Sequence, residues 1–294
     1  SKWVQNRNYS ELTKNSTLFY PFAGADFLYA NLFYGNCKDY ILLALEPTGL
    51  IMPLDTLNDS LRYDYLKQIK KSIYLSNRAG FFKTEDMEKE MNQITLNGTI
   101  HVLLYYIKSF GCNIINLSYF KIGEDGKPHY YSKVKNNKTQ GVRIVFADTT
   151  QKSVKTLYYL SFNLWDENIR KNKQFIKFLD LFPNKVALLK SASYLLHKDY
   201  FSVTRNYILN NTKMVLQDDS GIPYKYFDND NWEVELYGQY SKVIDMFKEW
   251  YQPDLDSAYK ASGKEPKLPF RIGYNIKHNE TPIIIAKRKN KKTA

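Results

Sequence analysis

The sequence predicts an α/β fold: a mixed, mostly parallel sheet flanked by helices in three layers, Rossmann-like in plan, with an antiparallel meander. Three observations carry this. Apolar runs such as "YILLALEPTG" stop at turn residues, the pattern of strands buried on both faces. "KVALLK", "YFSVTRNYILNN" and "KMVLQDD" read as strand, helix and strand, a βαβ unit. "CNIINLSYFKI", "VRIVFAD" and "TLYYLSFNLWD" are three strands in succession with no helix between them, which is meander-like.

The elements follow in order. "FYPFAGADFLYANLFYG", residues 19 to 35, holds one charge, Asp26, and is interrupted by Pro21 and Gly24. An aspartate at mid-bilayer is expensive, so the stretch reads as a strand, a turn and a buried helix rather than a membrane span. "YILLALE" is the next strand, and helices are expected near 58 to 76, 84 to 93 and 96 to 110. The polar, turn-rich segment 123 to 140 separates the first meander strand from the second. "NIRKNKQFIKFLDLF" is an amphipathic helix closed by Pro183. Towards the end, "WEVELYG" reads as a strand, "YSKVIDMFKEWY" as a helix, 252 to 269 as a surface excursion, and "FRIGYNI" and "PIIIAKR" as final strands. No 20- to 50-residue period repeats, which argues against a solenoid. The expectation is one α/β domain over 1–294, with subdomains 1–150 and 151–294 as the alternative.

The chain has 294 residues, 44% hydrophobic and 16% aromatic, enough for a large core. Its 25 Tyr suit half-buried positions, where the ring packs and the hydroxyl stays hydrated. A net charge of +12 suits an anionic partner, and an electrostatic binder of nucleic acid or anionic lipid, with peripheral membrane association, is one reading. Nucleic acid is disfavoured because Lys far outnumbers Arg and the lysines alternate with acids along helices, as on a solvated face. The one dense block, "AKRKNKK", lies in the tail. Two cysteines, Cys37 and Cys112, are too few for a disulfide framework and leave a single bridge open. Four histidines show no HxH or HxxxH spacing, so no metal site and no cofactor is nominated.

In open α/β sheets, ligands bind beyond the carboxyl ends of the strands. If "TLFYPF", "YILLALE", "YYLSFNLWD", "KVALLK" and "MVLQDD" run parallel, their ends gather the candidate ligand-binding residues Asp26, Glu46, Lys190, Ser191, Ser193, Gln217, Asp218 and Asp219. Gly24 to Glu46 has the layout of a nucleotide-binding half, with Glu46 placed for a ribose, yet "FAGADF" lacks the other glycines of GxGxxG. Asp218 and Asp219 match turn chemistry, and as paired carboxylates also offer acid/base chemistry or, with Asp228 and Asp230, a cation site that lacks the calcium-loop glycine. Ser191 or Ser193 precedes His197 and Asp199, without the GxSxG of a nucleophile elbow.

"FYPFAGADFLYANLFYGNCKDYILLALEPTG" and "VLQDDSGIPYKYF", which lie toward opposite ends of the chain, resemble stretches of a family of uncharacterised secreted or lipoprotein-type proteins of Gram-negative bacteria. The resemblance implies an exported, envelope-associated protein of the periplasm or cell surface, and the absence of a starting Met agrees with removal of an upstream signal. It implies no activity, so no catalytic residue follows from it. The expected function is binding of a small molecule, glycan or protein partner at the carboxyl edge of the sheet. The alternative is an enzyme with a divergent, adenosyl-type or carboxylate-based site.

Overall fold

A computed structural model describes residue 3 and residues 9–51, 54–79, 98–131, 140–148, 153–243, 245–265, 267–270, 272–274 and 281–289. Its ten strands are β1 (Thr17–Tyr20), β2 (Asp39–Ala44), β3 (Asn113–Ile122), β4 (Pro128–Tyr131), β5 (Gly141–Asp148), β6 (Ser153–Ser161), β7 (Lys185–Leu189), β8 (Thr212–Gln217), β9 (Trp232–Tyr237) and β10 (Ile283–Arg288). They form one sheet in the order β4-β3-β5-β6-β2-β1-β7-β8-β10-β9. The helices are α1 (Tyr9–Thr13), α2 (Phe27–Tyr34), α3 (Asp59–Ala79), α4 (Ile100–Ser109), α5 (Asp166–Lys171), α6 (Gln174–Asp180), α7 (Ser202–Asn211) and α8 (Pro253–Ser262).

The expected mostly parallel, Rossmann-like sheet is corrected. Among the described residues β1·β2, β1·β7, β2·β6 and β7·β8 pair parallel, whereas β3·β4, β3·β5, β5·β6, β8·β10 and β9·β10 pair antiparallel. The reason is physical: an unbroken apolar run reports burial on both faces but carries no information about strand direction. Direction is set by connections, and the short links within 113–161 turn the chain back on itself. Parallel pairing is confined to a central block, β6-β2-β1-β7-β8, with antiparallel strands on both sides.

Within that block the period of two places alternate residues in two cores. Leu18, Tyr40, Leu42, Val186, Leu188, Met214 and Leu216 face α2 and α4, which contribute Phe27, Phe33, Val102 and Leu103. Phe19, Ile41, Leu43, Ala187, Leu189 and Val215 face α5, α6 and α7, which contribute Ile169, Phe175, Phe178 and Ile208. A smaller core joins Leu236 and Ile284 to Leu255 and Tyr259 of α8.

Among the local expectations the first is met and others are revised. The opening apolar stretch is β1, a turn through Gly24 at φ 57° and α2, and among the described residues no helix is long and apolar enough to cross a membrane. Segment 252–269 is no simple excursion: Pro253 opens α8 and buries Leu255 and Tyr259 one turn apart. "NIRKNKQFIKFLDLF" is split into α5 and α6 at Asn172, and 123–140 contains β4. Residues 245–250 form a 3₁₀ turn with Phe247 off helical geometry, and 272–274 of "FRIGYNI" lie outside any strand. The helix expected at 84–93 lies outside the described residues. Cys37 and Cys112 are buried and do not form the single bridge left open by the sequence, and burial pushes the Cys37 thiol well above its ordinary range.

Candidate functional site

The parallel block brings the carboxyl ends of β1, β7 and β8 side by side. The chain leaves β1 through Gly24 and enters α2 at Asp26, whose Oδ1 accepts the Tyr29 amide at 3.1 Å as an N-cap. Asp26 Oδ2 accepts the Tyr20 hydroxyl at 2.8 Å and meets Lys190 Nζ at 2.7 Å. The side chains of Lys190 and Asp26 are 2% and 4% exposed, and the ammonium sits 3.8 Å from the centre of the Tyr29 ring. The pair is therefore buried, hydrogen-bonded and roofed by an aromatic ring.

Just past β7 the backbone turns sharply. The Lys190 amide donates to Ser193 Oγ at 3.0 Å, and Ser191 adopts φ 61°, ψ −92°, outside the regions open to an L-residue. The Ser191 amide donates to Asp218 Oδ2 at 3.1 Å, bridging the ends of β7 and β8. The Ser191 hydroxyl is buried and has no hydrogen-bond partner among the described residues. Asp218 Oδ1 accepts the Ser220 amide at 2.9 Å and the Ser220 hydroxyl. Burial pushes the Asp218 carboxyl above its ordinary range, against those hydrogen bonds and the charge of Lys190. Gly273, at φ 76°, closes over Asp218 so tightly that a Cβ there would lie 2.3 Å from Oδ2.

Asp26, Lys190, Ser191, Ser193 and Asp218 are thus brought together. The other candidates are not. Gln217 closes its own turn, its amide group exchanging hydrogen bonds of 2.8 and 2.9 Å with the Ile222 backbone. Asp219 Oδ2 accepts the Tyr194 hydroxyl at 2.5 Å, whereas Asp218 accepts the Ser191 and Ser220 amides. Glu46 is buried at the corner between β2 and β6, where its carbonyl accepts the Tyr159 hydroxyl at 2.8 Å. His197 packs edge-on against Tyr194 and Trp250, and burial pushes it down to about 4. Asp228 accepts the Asn231 amide at 2.8 Å in a turn. Among the described residues no group of three or more His, Cys, Asp or Glu is placed to hold a metal ion.

Tyr20, Tyr29 and Gly273 belong to the site and escaped sequence reasoning. Tyr20 and Tyr29 flank Asp26 in the opening stretch, but nothing in a Tyr-rich sequence distinguishes a phenol that meets a carboxylate from one that fills a core. No family model, curated protein or solved structure matches the chain, so the site rests on its own residues.

Proposed function

We propose that this chain is a binding protein whose ligand, a small molecule or glycan, docks at the carboxyl ends of β1 and β7 beside Lys190 and Ser191. The observation that carries the reading is Ser191. A non-glycine residue in a sparsely populated conformation costs of order 1–3 kcal/mol, and a buried hydroxyl without a partner costs about 1–3 kcal/mol more. The strained turn also lets the Ser191 amide reach Asp218, but the unpartnered hydroxyl has no such use, and both costs fall at the carboxyl ends of parallel strands. The Asp26–Lys190 pair supports the same reading, since buried ion pairs contribute little to net stability. Binding is favoured over catalysis because, among the described residues, no base is hydrogen-bonded to the Ser191 hydroxyl. An exported, envelope-associated setting is part of the proposal and rests on the resemblance of the two stretches quoted above; fractionation of the native host tests it.

The direct test is a glycan and metabolite array probed with the wild-type protein and with Ser191→Ala and Lys190→Met. Saturable binding that both substitutions weaken is the expected result. A hit bound equally well by both variants moves the site elsewhere, and turnover of a hit overturns the non-enzymatic reading.

A further inference from the structure

A surface cavity of about 760 Å³ lies at the other end of the parallel block, against the first residues of β1, β2 and β6. Its volume falls within the roughly 300–1,000 Å³ of small-molecule sites. Its lining mixes polar and apolar surface in nearly equal parts and includes Lys14, Lys38, Lys155, Glu11, Asp39 and Ser153. Lys155 is only 3% exposed, and its ammonium donates to the Gly35 carbonyl at the carboxyl end of α2, where the helix dipole favours a cation. That contact fixes a positive charge in the cavity wall. Lys14 and Lys38 lie exposed in the same lining, and the Ser153 hydroxyl makes no hydrogen bond among the described residues.

Three ammonium groups against two carboxylates leave the lining with one net positive charge, inside a protein whose net charge of +12 already draws anions. A wall of mixed polar and apolar surface with that charge on it suits a small ligand that carries an anionic group. We infer that this cavity is a second binding site, for a small polar molecule carrying one carboxylate or phosphate group. It stands apart from the carboxyl-edge site, since the two lie at opposite ends of the same strands.

Calorimetric titration with glucose 6-phosphate, glucuronate and glucose tests this, the first two carrying the two anionic groups and the third neither. At least one anion binds saturably at millimolar concentration or below, glucose does not, and added salt weakens the binding. The double substitution Lys14→Glu, Lys38→Glu weakens it at least about tenfold, because two attractive ammonium groups become repulsive carboxylates. Both positions are exposed, so the variant folds, and an unchanged thermal midpoint verifies this. Ser191→Ala leaves the binding unchanged, which separates this site from the carboxyl-edge reading. Absence of binding by both anions, equal binding of glucose, or full binding by the folded double variant overturns the inference.

Discussion

Lys190→Met keeps the length of the side chain and removes its charge. In the folded protein Lys190 Nζ lies 2.7 Å from Asp26 Oδ2 and 3.8 Å from the centre of the Tyr29 ring, with both charged side chains almost wholly buried. Removing one partner of a buried pair typically costs about 3–5 kcal/mol, because the other charge stays behind uncompensated. Here Asp26 keeps the Tyr20 hydroxyl and the Tyr29 amide, which places the loss at the lower end, about 3 kcal/mol. For 294 residues the unfolding entropy is about 0.6 kcal/mol/K, so the melting temperature falls by about 5 °C. Asp26→Asn supplies the other arm of a double-mutant cycle while retaining a side chain that caps α2. The double variant has no buried net charge, and it is expected to be less destabilised than the two single losses added together, by about 2–3 kcal/mol. Urea titrations followed by circular dichroism measure all four proteins. A loss below about 1 kcal/mol for Lys190→Met, or strictly additive single losses, refutes the claim that the two groups meet as a desolvated pair.

Two further outcomes follow from the geometry. Ser191→Gly relieves the backbone at φ 61° and deletes the unpartnered hydroxyl, against the added chain entropy of glycine, so thermal unfolding shows a gain of about 1 kcal/mol; a clear loss contradicts the strain argument. Burial holds His101 down to about 4, with Nδ1 2.5 Å from the Tyr65 hydroxyl, and His197 also at about 4. Because these folded values lie below the ordinary 6.5, the stabilisation is complete above pH 6.5 and is lost as pH falls through 4, by up to about 3 kcal/mol per histidine. His101→Phe removes about half of that decline in urea midpoints measured between pH 7 and 4, and an unaltered decline shows that His101 is not buried neutral.

What the sequence determined by itself was local. The apolar alternation and turn residues of 17–46 and 185–219 located β1, α2, β2, β7, α7 and β8, because burial on two faces and capping by Asp26 leave their mark within a few residues. The same reasoning gathered Asp26, Glu46, Lys190, Ser191, Ser193, Gln217, Asp218 and Asp219 at one edge, and the structure joins only Asp26, Lys190, Ser191, Ser193 and Asp218 there. Only the tertiary structure decided which strands run antiparallel, because identical apolar runs serve either direction and the connections alone choose. It also decided that Asp26 meets Lys190 across 164 positions of chain while Glu46 goes to the Tyr159 corner, and that Asp218 and Asp219 part company. Long-range charge pairing of that kind leaves no periodicity in a sequence; it arises when packing of the two cores brings strand ends to within hydrogen-bond distance.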